Sequence, residues 1–131
     1  MSTSTESAMS VAEQNKQAIL RSYTAFFGER NLAGAEELIH PDFVQHSPDA
    51  PSGRDAYLAH LRDAPFGAST IEIRRVIADD DYVVVHYGMS PPDGPTLAVV
   101  DIWRLENGQV VEHWDVEQPL PDAARTPNGM L

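Results

Sequence analysis

The hydrophobic pattern of this chain changes period once, close to residue 70, and that change constrains its fold more than any other feature. Up to Leu61 the apolar residues recur at three- and four-residue intervals, the spacing of a helix face. From Thr70 to Glu117 they alternate or run in β-branched strings, the spacing of strands. Helices first and strands after, within 131 residues, predict one α+β domain. Its helices would pack on one face of an antiparallel sheet. A mobile Ser/Thr-rich leader is expected over 1–10, the domain over 11–120 and an irregular tail over 121–131.

The punctuation is local. Ser10 and Glu13 have the spacing of a capping box, and Ile19, Leu20, Tyr23, Phe26 and Phe27 follow on one helical face until Gly28. Asn31 can cap a short second helix through Leu32, Ala35, Leu38 and Ile39, which Pro41 ends. The stretch from Pro41 to Gly53 reads as loop, and a third helix carries Tyr57, Leu58 and Leu61 up to Pro65. Four strands are expected: Thr70 to Ala78 with Ile71, Ile73 and Val76 inward, Tyr82 to Met89, Thr96 to Leu105, and Gln109 to Glu117.

Composition removes several function classes. The net charge is −11 and no Lys/Arg cluster exists, so nucleic acid and anionic membranes are poor partners. With no cysteine there is no disulfide, thiolate metal site or cysteine nucleophile. No apolar run reaches the ~18 residues of a membrane span. A cytoplasmic protein is the expectation.

The last hairpin decides which polar side chains meet. A two-residue Asn107-Gly108 turn would pair Asp101 with Trp114 and send His113 to the other face. A three-residue Glu106-Asn107-Gly108 loop, with Gly108 left-handed in a bulge, would pair Asp101 with His113. The second register is preferred, because it gathers Asp101, His113, Asp115, Val99, Trp103 and Val111 on one face. Val100, Ile102, Glu112, Trp114 and Val116 then form a second apolar face, which suggests a covered surface such as a dimer interface.

The strings Phe43-Val44-Gln45-His46-Ser47-Pro48, Asp101-Ile102-Trp103-Arg104 and Glu112-His113-Trp114-Asp115-Val116 resemble the SnoaL-like polyketide cyclase family. That family belongs to the nuclear transport factor 2-like, or ketosteroid isomerase-like, superfamily. The resemblance implies a cone-shaped α+β barrel with a deep pocket, a homodimer, and no metal or organic cofactor. It implies that Asp115 is similar to the acid/base aspartate on the last strand of the cyclases. Asp101 stands where the cyclases carry a histidine.

An acid–base enzyme of isomerase, cyclase (lyase) or hydratase type follows as the first expectation. Its substrate would be a small hydrophobic, carbonyl-containing or polyketide-like molecule. Asp115 would be the general base, with Asp101 and His113 orienting a proton or water or donating to an oxyanion. His46 and His86 would complete the pocket's polar groups, and Trp103, Tyr23 and Phe26 its apolar walls. Two alternatives stay open: a non-catalytic binding or dimerisation module, and an epoxide hydrolase-like enzyme using Asp101 with Asp115. A metal site from His46, His86 and His113 has no supporting spacing.

Overall fold

A computed structural model describes residues 9–131, so most of the expected leader lies outside the described residues. Helix α1 spans Val11–Tyr23, and the Ser10 side chain caps it by accepting the Glu13 amide at 3.0 Å. Glu13 does not reach back; its carboxylate bonds Gln17 and Lys16 instead. The chain continues as a π-helix over Thr24–Gly28, where Glu29 N–H bonds the Thr24 carbonyl five residues back at 3.0 Å. The single α-helix expected through Phe27 is therefore corrected to two geometries. π segments of this kind often sit at functional sites.

The second helix is shorter than expected. Helix α2 is only Ala35–Leu38, started by Gly34 in the left-handed region. The Asn31 side chain turns the loop instead, accepting from the Ala33 amide at 2.9 Å. The stretch read as loop after it contains strand β1, Ile39–Gln45. Pro41 obscured this strand. A proline lacks the amide a central strand needs, yet an edge strand tolerates it. β1 is such an edge, and Pro41 falls in its irregular section between the Ile39↔Val110 and Val44↔Glu112 pairs. Helix α3, Arg54–Arg62, and a 3₁₀ turn, Pro65–Ala68, complete the helical half.

The remaining strands are β2 (Thr70–Ala78), β3 (Tyr82–Ser90), β4 (Leu97–Glu106) and β5 (Gln109–Pro119). The sheet order is β1-β5-β4-β3-β2, curved and unclosed. Because β1 runs parallel to β5, the sheet is mixed rather than purely antiparallel. Within β2, Ile71 and Val76 pack against the core, whereas Ile73, on this edge strand beside a register shift, is 37% exposed. The core lies between the concave sheet face and the helices, with Ile19, Phe43, Val83, Val85 and Val110 at its fully buried centre. Asn15 ties α1 to the β2–β3 turn, donating to the Asp80 carbonyl at 3.1 Å.

The β4–β5 register differs from both expected alternatives. The turn is the two-residue Asn107-Gly108, with φ of 51° and 78°, as a tight hairpin turn requires. Glu106 pairs with Gln109 and Leu105 with Val110; then a bulge absorbs one residue before Arg104↔Glu112. Beyond it Trp103 pairs with His113 and Asp101 with Asp115. The expected Asp101–His113 pairing is thus displaced by two residues. A shift of two preserves facing, since strand side chains repeat every second residue. Asp101, Trp103, His113 and Asp115 share the concave face as expected, while the bulge puts Val110 rather than Val111 there.

Candidate active site

The concave face and the helices enclose a cavity of about 570 Å³. Its walls include Phe26, Phe27, Leu32, Leu61, Phe66 and Met89. The π-helix delivers Phe26 and Phe27 to this wall together, with ring centres 4.9 Å apart.

Asp101 forms the floor and is 5% exposed. Its Oδ2 accepts from the Tyr23 hydroxyl and, at 2.9 Å, from the Tyr87 hydroxyl. Trp103 Nε1 donates to the Tyr23 oxygen at 3.1 Å, which commits the Tyr23 proton to Asp101. Burial, and then the Asp101 charge, push both tyrosine hydroxyls well above their ordinary range, so both remain donors. The other carboxylate oxygen, Oδ1, lies 3.1 Å from His113 Nε2.

The second nitrogen of His113 is assigned by its partners. Gln45 Oε1 lies 3.0 Å from the Ser47 amide and 2.8 Å from His113 Nδ1. A backbone amide can only donate, so the Gln45 atom between them is the oxygen. His113 Nδ1 therefore carries a hydrogen, and Nε2 faces Asp101 Oδ1. Both ring nitrogens are engaged. This clamp leaves Gln45 Nε2 buried without a partner.

Asp115 has a different setting. It is half-buried on the cavity wall, with no hydrogen bond to its carboxylate among the described residues. Burial raises its pKa above the ordinary range; His113 and the nearby Ser47 hydroxyl pull it down, while Asp101 and Asp49 push it up. Glu117, next on the same face, is raised by burial and by Asp115, Asp49 and Asp101. Asp101, His113 and Asp115 each offer one ligand atom within 4.8 Å of the others.

Six of the eight expected site residues line the cavity: Tyr23, Phe26, Asp101, Trp103, His113 and Asp115. His46 and His86 do not. His46 Nε2 is 2.6 Å from Glu112 Oε2, and its ring stacks on Trp114, 4.8 Å away. His86 lies on the convex face, where it meets Arg75 and bonds the Met130 carbonyl at 2.8 Å. Parity explains the error: Val85 pairs with Asp101, so Tyr87 faces inward and His86 outward. Gln45, Ser47 and Tyr87 were missed. Had β1 been recognised, Phe43, Gln45 and Ser47 at every second position would have placed the clamp on the core face.

The profile of SnoaL-like domains matches residues 20–113. The chain belongs to the SnoaL-like family. The match ends two residues before Asp115, so it covers the clamp and floor of the cavity and not the wall carboxylate. Solved structures share the fold of this SnoaL-like chain. A nuclear transport factor 2-like protein of unknown function from Burkholderia xenovorans is 18% identical, with TM-score 0.75, over 91% of this chain and 95% of that one. IdmH from Streptomyces antibioticus, a candidate polyketide cyclase, is 25% identical with TM-score 0.64, over 80% and 92%. A candidate ketosteroid isomerase from Kribbella flavida is 21% identical with TM-score 0.69, over 90% of each chain. No curated protein matches the sequence. Among the described residues no helix is long and apolar enough to cross a membrane.

Proposed function

We propose that this SnoaL-like chain is an acid–base enzyme needing no cofactor, with Asp115 as the general base. The observation that carries the reading is the asymmetry of the two facing aspartates. Asp101 has its lone pairs occupied by Tyr23, Tyr87 and His113, whereas Asp115 faces the cavity with a raised pKa. A desolvated carboxylate is the stronger proton acceptor. It would take a proton from a carbon next to a carbonyl. The resulting enolate is then either reprotonated elsewhere, an isomerisation, or attacks a second carbonyl carbon, a cyclisation.

The cavity also limits the substrate. Asp49, Asp93, Asp101, Asp115 and Glu117 line it, and among the described residues no lysine or arginine does. Anionic substrates are disfavoured by this charge, and an uncharged apolar carbonyl compound fits the walls. Asp115→Asn tests the base. Turnover of such a compound is expected to fall by roughly 10²–10⁴-fold while the fold is kept; unchanged turnover would sink the assignment.

We also infer a homodimer through the convex face. Val116 is 67% and Ile77 64% exposed there, an apolar surface that a second copy would cover. Sedimentation should give twice the 14.4 kDa chain mass, and Val116→Glu should return it to the monomer value. A monomeric wild-type protein refutes the inference.

A further inference from the structure

The proposed chemistry needs a donor at the substrate's oxygen as well as a base at its carbon; apart from Gln45 Nε2, which is sealed off from solvent and so from a ligand, the buried donors on the cavity floor are engaged. Tyr23 and Tyr87 donate to Asp101, Trp103 to Tyr23, and His113 has partners at both nitrogens. The Ser47 side chain also lines the cavity but is not buried.

Tyr57 is the exception. It sits on α3 and lines the cavity. It is 7% exposed, and its ring packs on Phe43 with centroids 4.9 Å apart. Among the described residues its hydroxyl makes no hydrogen bond, although the residue is more than nine-tenths buried. The oxygen is not among the buried atoms sealed off without a partner, so its open side is the cavity it lines. A buried hydroxyl without a partner is uncommon in folded proteins and calls for a ligand.

We propose that Tyr57 is a catalytic residue: its hydroxyl donates to the carbonyl oxygen of the substrate, and to the oxyanion that oxygen becomes when Asp115 removes the neighbouring proton. This rests on the acid–base reading and specifies its substrate as a ketone or similar carbonyl compound, with the oxygen at α3 and the acidic C–H at β5. Burial, then the charges of Asp101 and Asp115, raise the Tyr57 hydroxyl far above its ordinary range, which keeps it protonated at working pH. Tyr57, Asp101 and Asp115 line the same cavity. No proton leaves Tyr57 in the step; the C–H proton goes to Asp115, and the electron pair moves to the oxygen that Tyr57 holds.

Two aromatic probes of similar size test this: 2-acetylnaphthalene, which has a carbonyl, and 2-ethylnaphthalene, which does not. Calorimetry should show the wild-type protein preferring the ketone by about tenfold. Tyr57→Phe should remove that preference by weakening the ketone alone, and the downshift of the carbonyl stretch on binding should vanish with it. Because the hydroxyl has no partner among the described residues, the variant should melt no lower than wild type. Where turnover is measurable, it should fall by about 10²-fold in Tyr57→Phe. No ketone preference in the wild type, or one that survives in Tyr57→Phe, overturns the proposal. The binding arm does not depend on turnover. If Asp115→Asn stays fully active while the Tyr57-dependent preference holds, the base assignment has failed and the donor site has not.

Discussion

Asp101 and Asp115 are paired across adjacent strands on the same face of one sheet, yet they occupy opposite chemical situations. Asp101 is 5% exposed and surrounded by donors; Asp115 is half-buried and accepts no hydrogen bond from the described residues. The floor of the cavity is thus a closed hydrogen-bonded network, and the wall beside it holds an open carboxylate. Residue type alone does not assign a catalytic role. What assigns it is how many lone pairs the protein has already filled. The comparison predicts that floor variants act on stability and wall variants on turnover.

The largest stability effect is therefore expected at the floor. Asp101→Leu leaves two tyrosine hydroxyls and His113 Nε2 buried without a partner, a loss of roughly 3–5 kcal/mol. Asp101→Asn should lose far less. Its amide oxygen can accept from the tyrosines, and its NH₂ can donate to His113 Nε2 while Gln45 holds Nδ1–H. Tyr87→Phe removes one donor to the carboxylate and should cost about 1.5–3 kcal/mol. Urea midpoints at constant m-value read all three. If Asp101→Leu is as stable as Asp101→Asn, the floor is not a network and the contrast with Asp115 collapses.

Much of this was legible in the sequence, for reasons that also explain what was not. The period change at residue 70 reported the helix-then-sheet order, because period is written in every second or fourth side chain. The shared face of Asp101, His113 and Asp115 was reached although the register was off by two, since parity survives an even shift. In β3 the inward parity of Tyr87, and the outward one of His86, is set by the Val85↔Asp101 pair and not by the β-branched string of the strand itself. β1 was hidden by Pro41, whose penalty depends on whether a strand lies at an edge, a property of the sheet rather than of the segment. With β1 went Gln45 and Ser47. Tyr57 was read only as a core position on a helix face; that its hydroxyl has no partner is a fact of tertiary placement.

The smallest expected effect is the most diagnostic for the wall. Asp115 has its folded-state pKa raised, chiefly by burial, so the folded protein binds this proton more tightly than the unfolded chain does. Above the folded-state pKa the native state carries a charge it disfavours; on acidification toward the unfolded carboxylate value, near 3.9, that penalty disappears. Asp115→Asn should therefore melt higher than wild type at neutral pH, with the gap closing as pH falls through that window. Because the carboxyl is only half-buried, solvent screening limits the gain to under about 1 kcal/mol. The same substitution that removes turnover would then stabilise the fold, the relation expected of a group held in place for chemistry. A gap that widens on acidification would mean that Asp115 is stabilised as a carboxylate in the native state. It would then resemble Asp101, and the proposed base would have to be sought elsewhere on the wall, with Glu117 the next raised carboxyl on that face.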